Sequence, residues 1–250
     1  MKKIRISAVS YTNTKPFLYG IQHTAIINQI DLSLDIPADC AQKLIDDKVD
    51  IGLIPVAAAL NLREWHIVSD YCIGATGAVN SVFIFSNCDI REAKTVQLDP
   101  ESRTSNNLAR VLLKNFWKVE PQLITDAADY SQSTDSHTAF VQIGDRTFGK
   151  KAQFKFVYDL AEEWQKLTGL PFVFAAWIAN KPIPKEFTDE FNTALKYGLD
   201  HRTELLKELP KRPDFDLEDY LMHKLDFDLT EDKKKALYLF LDYVKALSTF

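Results

Sequence analysis

The segment Ser10-Tyr11-Thr12-Asn13-Thr14-Lys15-Pro16 crowds hydroxyls and one amide directly behind an apolar run, Ile4–Val9. If that run is a strand, these groups stand at the carboxyl edge of an α/β sheet, where ligands bind. They suit a ligand rich in oxygens. The same residue types also serve as turn and helix-cap residues, so a plain strand-to-helix turn is the competing reading. A second segment, Leu98-Asp99-Pro100-Glu101-Ser102-Arg103-Thr104-Ser105-Asn106-Asn107, falls between a strand and a helix. Free N–H groups at a helix start, with the Thr104 and Ser105 hydroxyls and the Arg103 guanidinium, form an anion site. Simple capping, with Arg103 in a surface ion pair, accounts for the residues equally well.

Three further stretches carry weaker signals. In Gly74-Ala75-Thr76-Gly77-Ala78-Val79-Asn80-Ser81-Val82, two glycines permit close backbone approach and Ser81 offers a hydroxyl; a plain turn is the alternative. In Gln142-Ile143-Gly144-Asp145, Asp145 either orients a ligand hydroxyl or caps the next helix. Between Trp164 and Phe174 the aromatics either wall a ring-shaped ligand or fill the core. The histidines, His23, His66, His137, His201 and His223, are scattered outside these segments, and no Ser-His-Asp or Cys-His pattern is visible. Cys40, Cys72 and Cys88 are odd in number and lack metal-ligand spacing, which predicts buried reduced thiols and no zinc site.

The elements that position these residues follow from periodicity. Short apolar runs at Ile4–Val9, Leu32–Ile36, Val49–Pro55, Ile67–Ile73, Ser81–Ser86, Thr95–Leu98, Ala139–Ile143 and Phe172–Ile178 read as strands. Helical patterns at Tyr19–Gln29, Ala38–Asp46 and Ser105–Asn115 alternate with them. That alternation predicts an α/β class with mostly parallel sheets. Beyond Pro184 the chain turns helical, and Thr230 caps a last helix striped by Leu237, Phe240, Leu241, Val244 and Leu247. The acid-rich stretches Asp214–Asp219 and Asp226–Asp232 read as solvated helix edges. Two lobes with a ligand cleft between them fit this order, with residues 1–88 plus 178–250 forming one lobe and 89–177 the other.

At 250 residues with 46% hydrophobic side chains, the chain can bury a core without disulfides or metals. A net charge of −5 speaks against nucleic acid as a partner. No run approaches a membrane span, and Arg5 and Ser7 interrupt any signal-peptide core, which predicts a cytoplasmic protein.

Taken in order, Ser10–Pro16, Asp50-Ile51-Gly52-Leu53-Ile54-Pro55, Gly74–Val82, Leu98–Leu108, Ile143-Gly144-Asp145 and Thr168–Trp177 resemble the chorismate dehydratases of the futalosine route to menaquinone. The resemblance spans roughly residues 4–180 and implies a two-lobed fold of the periplasmic-binding-protein type II kind. It implies a lyase that removes water from chorismate to give 3-[(1-carboxyvinyl)oxy]benzoate. No cofactor, nucleic acid or membrane partner is expected, and the enzyme would be a monomer or homodimer. The sister family, which makes 1,4-dihydroxy-6-naphthoate, usually opens with a Ser-Pro-Cys-Pro-Asn-Asp type segment, where this chain has Ser10-Tyr11-Thr12-Asn13. A silent cytosolic binder of a small dianion is the remaining alternative.

Under this resemblance the roles divide as follows. Ser81, Thr104 and Ser105, with N–H groups at the helix start and Arg103 nearby, hold a carboxylate. Ser10 and Asn13 approach the ring, Asn13 orienting the leaving hydroxyl. Ile54, Pro55 and Phe174 shape the pocket. Tyr11 and Asp145 are candidate bases, with the substrate's own enolpyruvyl carboxylate as the alternative.

Overall fold

The computed structural model describes residues 3–125 and 136–247. The chain opens with β1 (Ile4–Val9), a 3-10 turn through Thr12–Thr14, and α1 (Lys15–Gln22). Then follow β2 (Ile30–Asp35), α2 (Pro37–Ile45), β3 (Ile51–Pro55) and β4 (His66–Ala75). Residues 76–81 cross to a second sheet built from β5 (Val82–Ser86), β6 (Thr95–Gln97), β7 (Gln122–Ile124), β8 (Thr138–Ile143) and β9 (Phe156–Asp159). Helix α3 (Arg103–Leu112) is inserted after β6, and α4 (Leu160–Thr168) follows β9. The chain returns through β10 (Phe172–Ala179), α5 (Lys185–Asp200), α6 (Arg202–Glu208), the short α7 (Leu217–Asp219), β11 (Asp226–Asp228) and α8 (Glu231–Leu247).

The first sheet has the order β11-β4-β10-β3-β1-β2 and the second β7-β6-β8-β5-β9. Both are mixed rather than mostly parallel. β1 runs parallel to β2 and β3, and β6 parallel to β7 and β8. The two strands that carry the chain across, β5 and β10, run antiparallel to every neighbour they pair with. A crossing chain enters its new sheet against the existing βαβ direction, which the local pattern does not reveal. The crossings lie at 76–81 and 169–171, so β5 belongs to the second sheet and β10 to the first. The expected divisions at 88/89 and 177/178 fall behind β5 and inside β10.

Other differences have local causes. The helix expected over 19–29 begins at Lys15, because Pro16 presets the first turn, and ends at Gln22. Extended backbone at Thr24 (φ −128°) stops it, and a separate 3-10 turn covers Ala25–Gln29. Helix α3 starts at Arg103, with the Ser102 hydroxyl accepting from Ser105 N at 3.1 Å. The segment expected as a solvated helix edge at Asp226–Asp228 is instead β11, paired with β4. Lys233 holds it there. Its side chain is fully buried, and Nζ donates to the Asp226 and Asp228 carbonyls at 2.6 Å each.

The core explains most of the aromatics. Trp164 and Phe172 pack edge-to-face at 5.3 Å and are buried with Trp177, Phe191 and Phe240. The stripe Leu237, Phe240, Leu241 and Val244 is the buried face of α8. Helices α1 and α5 cross in near backbone contact. A Cβ on Gly198 would sit 1.8 Å from the Pro16 carbonyl oxygen, so only glycine fits there.

Candidate active site

A cleft opens where the carboxyl end of β1, the crossing segment and the start of α3 meet. It is lined by Tyr11, Asn13, Thr14, Pro55, Val79, Ser81, Ser102, Thr104, Ser105, Gly144 and Phe174, among others. Of the expected residues, the fold brings together Tyr11, Asn13, Ser81, Thr104, Ser105, Pro55 and Phe174. Four do not line it. Ser10 is exposed, its N–H spent on the Asp35 carbonyl at 2.9 Å. Ile54 is buried within β3. Arg103 reaches across the lobes to Gln42 Oε1 at 3.1 Å. Asp145 accepts from Thr12 N (3.2 Å) and Oγ1 (2.7 Å), so its carboxylate ties the two lobes together.

None of the lining side chains carries a charge, among the described residues. The hydroxyls, by contrast, are oriented. Thr104 Oγ1 accepts from Ala57 N at 3.2 Å, Ser102 Oγ from Ser105 N at 3.1 Å, and Ser81 Oγ from the Tyr220 hydroxyl at 2.8 Å. Each oxygen is already an acceptor, which leaves its own proton for the cleft. The start of α3 adds N–H groups that have no helical acceptor and a favourable dipole. The cleft is therefore a set of donors suited to an anion.

Tyr11 is set as a donor in this structure. Burial, followed by its hydrogen bond to Glu101 Oε2, raises its pKa well above the ordinary phenol value. It stays protonated and donates across the lobes. Its ring lies against Gly144, where a Cβ would come within 2.7 Å of the ring carbons and φ is +64°. Glu101 is backed by Arg146, which also pairs with the buried Asp99 at 2.7 Å. The charged groups thus form a latch beside the cleft, outside its lining.

Asp159 and Tyr220 brace the cleft from behind, and the sequence flagged neither. The Asp159 carboxylate accepts from Val79 N (3.2 Å), Asn80 N (2.7 Å) and Ala161 N (3.1 Å). It thereby caps α4 and fixes the backbone that presents Ser81. Burial pushes its pKa up to about 6 against these donors. The one local signal was its place before Leu160, at a helix start. Tyr220 had none.

No group of His, Cys, Asp or Glu among the described residues could hold a metal ion. All three cysteines are buried and free, and burial pushes the Cys40 and Cys72 thiols up to about 12.

The family model for menaquinone biosynthesis matches residues 4–246. The chain belongs to that family. Two curated relatives are similar over most of their length. A chorismate dehydratase of Campylobacter jejuni is 26% identical over 96% of this chain and 97% of its own. A chorismate dehydratase of Thermus thermophilus is 25% identical, over 71% of this chain and 72% of its own. Among solved structures, an Archaeoglobus fulgidus protein superposes with a TM-score of 0.76 at 15% identity, covering 99% of this chain and 98% of that one. A Candida albicans protein described as having the generic periplasmic-binding-protein fold gives 0.68 at 12% identity, over 100% and 92%. The fold is therefore of the periplasmic-binding-protein kind, with the helical C-terminal part folded back onto both lobes. No helix among the described residues is long and apolar enough to cross a membrane.

Proposed function

We propose that this cleft dehydrates chorismate to 3-[(1-carboxyvinyl)oxy]benzoate in menaquinone biosynthesis, as a hydro-lyase working without a cofactor. The observation that carries the reading is an uncharged cleft in which the Ser81, Ser102 and Thr104 hydroxyls each accept a bond from the protein and keep their protons for a ligand. It sits in a chain of the menaquinone-biosynthesis family with relatives named chorismate dehydratase.

The chemistry follows from the substrate. The hydrogen on ring C3 is conjugated through a double bond to the ring carboxylate. Removing it leaves a dienolate-like anion, with charge growing on that carboxylate. Departure of the C4 hydroxyl then completes the aromatic ring, and the abstracted proton leaves with it as water. Ser81, Thr104 and Ser105, with the N–H groups opening α3, hold the ring carboxylate and stabilise the growing charge. Asn13 orients the leaving hydroxyl, while Pro55 and Phe174 shape the ring site.

The base is the substrate's own enolpyruvyl carboxylate. Tyr11 is held protonated by burial and Glu101, and the Asp145 carboxylate is occupied by Thr12. A carboxylate carried into a cleft without cations also becomes more basic, because burial disfavours its charged form. The protein's share is then orientation, anion stabilisation and exclusion of water by the latched lobes. All of this is built from one chain, so either a monomer or a homodimer would serve, in the cytoplasm.

The test is incubation of purified protein with chorismate, followed by mass spectrometry. A product lighter by one water with benzoate-like absorbance supports the reading. Unchanged chorismate with a folded protein overturns it, and a thermal shift by chorismate would then mark a silent binder.

A further inference from the structure

The residue that sets the donor character of Ser81 comes from the C-terminal part of the chain, far from the segments that carry the family resemblance. Tyr220 is completely buried, in the turn that follows α7. Its ring is clamped edge-on by Phe148 at 5.5 Å and Phe215 at 5.3 Å. Its hydroxyl points at the cleft floor and donates to Ser81 Oγ at 2.8 Å. Asn13 Oδ1, on the cleft lining, accepts from Thr14 Oγ1 at 3.2 Å. This phenol therefore engages the residue assigned above to the substrate's ring carboxylate.

We propose that Tyr220 is a positioning residue that fixes Ser81 as a hydrogen-bond donor to the substrate's ring carboxylate. The inference rests on the chorismate reading given above. A serine hydroxyl free to rotate would share its proton among neighbouring acceptors, including the Tyr220 oxygen itself. With Tyr220 donating, that option closes and the Ser81 proton faces the ligand. Tyr220 does not line the cleft, so it acts through Ser81.

The test is Tyr220→Phe, which removes one oxygen and keeps the ring that fills the space between Phe148 and Phe215. Steady-state kinetics with chorismate are measured for wild type, Tyr220→Phe, Ser81→Ala and the double variant. The expected result is a KM raised about 10-fold in Tyr220→Phe, the size of one lost oriented hydrogen bond, with a much smaller change in kcat. In the Ser81→Ala background the same substitution should change KM less than about 2-fold, because the group it orients is gone. Benzoate and benzamide, as competitive probes, add a readout that packing alone would not move. Tyr220→Phe should weaken benzoate more than benzamide. Equal KM effects in both backgrounds, or a KM within about 2-fold of wild type, would overturn the role of Tyr220 while leaving the chorismate assignment intact. A wild type that leaves chorismate unchanged sinks the assignment first, and this inference with it.

Discussion

Tyr11 and Tyr220 hold the two ends of the cleft, and both phenols are kept protonated mainly by burial. Their partners differ. At the mouth Tyr11 donates to a carboxylate, Glu101, which is braced by Arg146 and, through it, Asp99. On the floor Tyr220 donates to a neutral hydroxyl, Ser81. Charge is thus gathered where the lobes meet and kept out of the space the ligand occupies. A charge pair at the mouth is partly solvated and contributes modestly to closure. A charge on the floor would face a dianion in a medium of low polarity, where repulsion is strong. The difference suggests that the mouth decides how firmly the lobes close and the floor decides what binds and reacts.

The sharpest way to break this comparison is to put charge on the floor. Asn13→Asp changes few atoms but places a carboxylate beside the substrate, and kcat/KM for chorismate should fall about 1000-fold or more. Thermal unfolding should move by only a few degrees, which separates repulsion from misfolding. Retained turnover would remove Asn13 from the mechanism.

Next in size is the tie that holds the C-terminal part in place. Lys233→Met removes a buried cation from the Asp226 and Asp228 carbonyls and from Asp226 Oδ1 at 2.7 Å. Denaturant unfolding should show a loss of about 3 kcal/mol. If β11 also steadies the turn that carries Tyr220, KM for chorismate will rise in the same variant, whereas a purely distant brace would leave it alone.

Asp159 gives the floor a pH signature. Its carboxyl titrates at about 6 in the folded chain, above its ordinary value near 3.8. A raised carboxyl pKa means the folded state prefers the protonated form. The stability this contributes is complete below about pH 4 and is lost as pH rises through about 6. Over that window the unfolding free energy of wild type, measured relative to Asp159→Asn, should decline by up to about 3 kcal/mol. A constant difference across pH 4–7 would show that the backbone donors fully offset the burial.

The mouth should give the smallest effect. Tyr11→Phe removes the cross-lobe bond to Glu101 but leaves every floor donor in place, and kcat/KM should fall only about 3- to 10-fold. A loss as large as that of Asn13→Asp would erase the distinction between the two ends.

Much of this was legible where the signal is local. The strand Ile4–Val9 with the polar turn behind it, and the Ser102-capped start of α3, announce themselves through apolar period and hydroxyl-rich segments. Both deliver lining residues, Asn13 and Thr104 among them. What the sequence could not show depends on pairing at long range. Tyr220 meets Ser81 across 139 residues, and Asp145 meets Thr12 across 133. Nothing near either residue separates a lobe-bridging carboxylate from a helix cap, or a floor phenol from another core aromatic. Arg103 failed for a related reason. A guanidinium at a helix start suits an anion, but its length carries it past the cleft to Gln42.

The central claim is that the cleft supplies donors and the substrate supplies the base. It is tested most directly by a chorismate analogue whose enolpyruvyl carboxylate is replaced by a methyl group, the ring carboxylate being kept. Wild-type protein should bind this analogue within about 10-fold of chorismate, through the ring carboxylate, yet release water from it at least about 1000-fold more slowly. Dehydration of the analogue at a rate comparable to chorismate would contradict the account and require a base among the protein's own side chains.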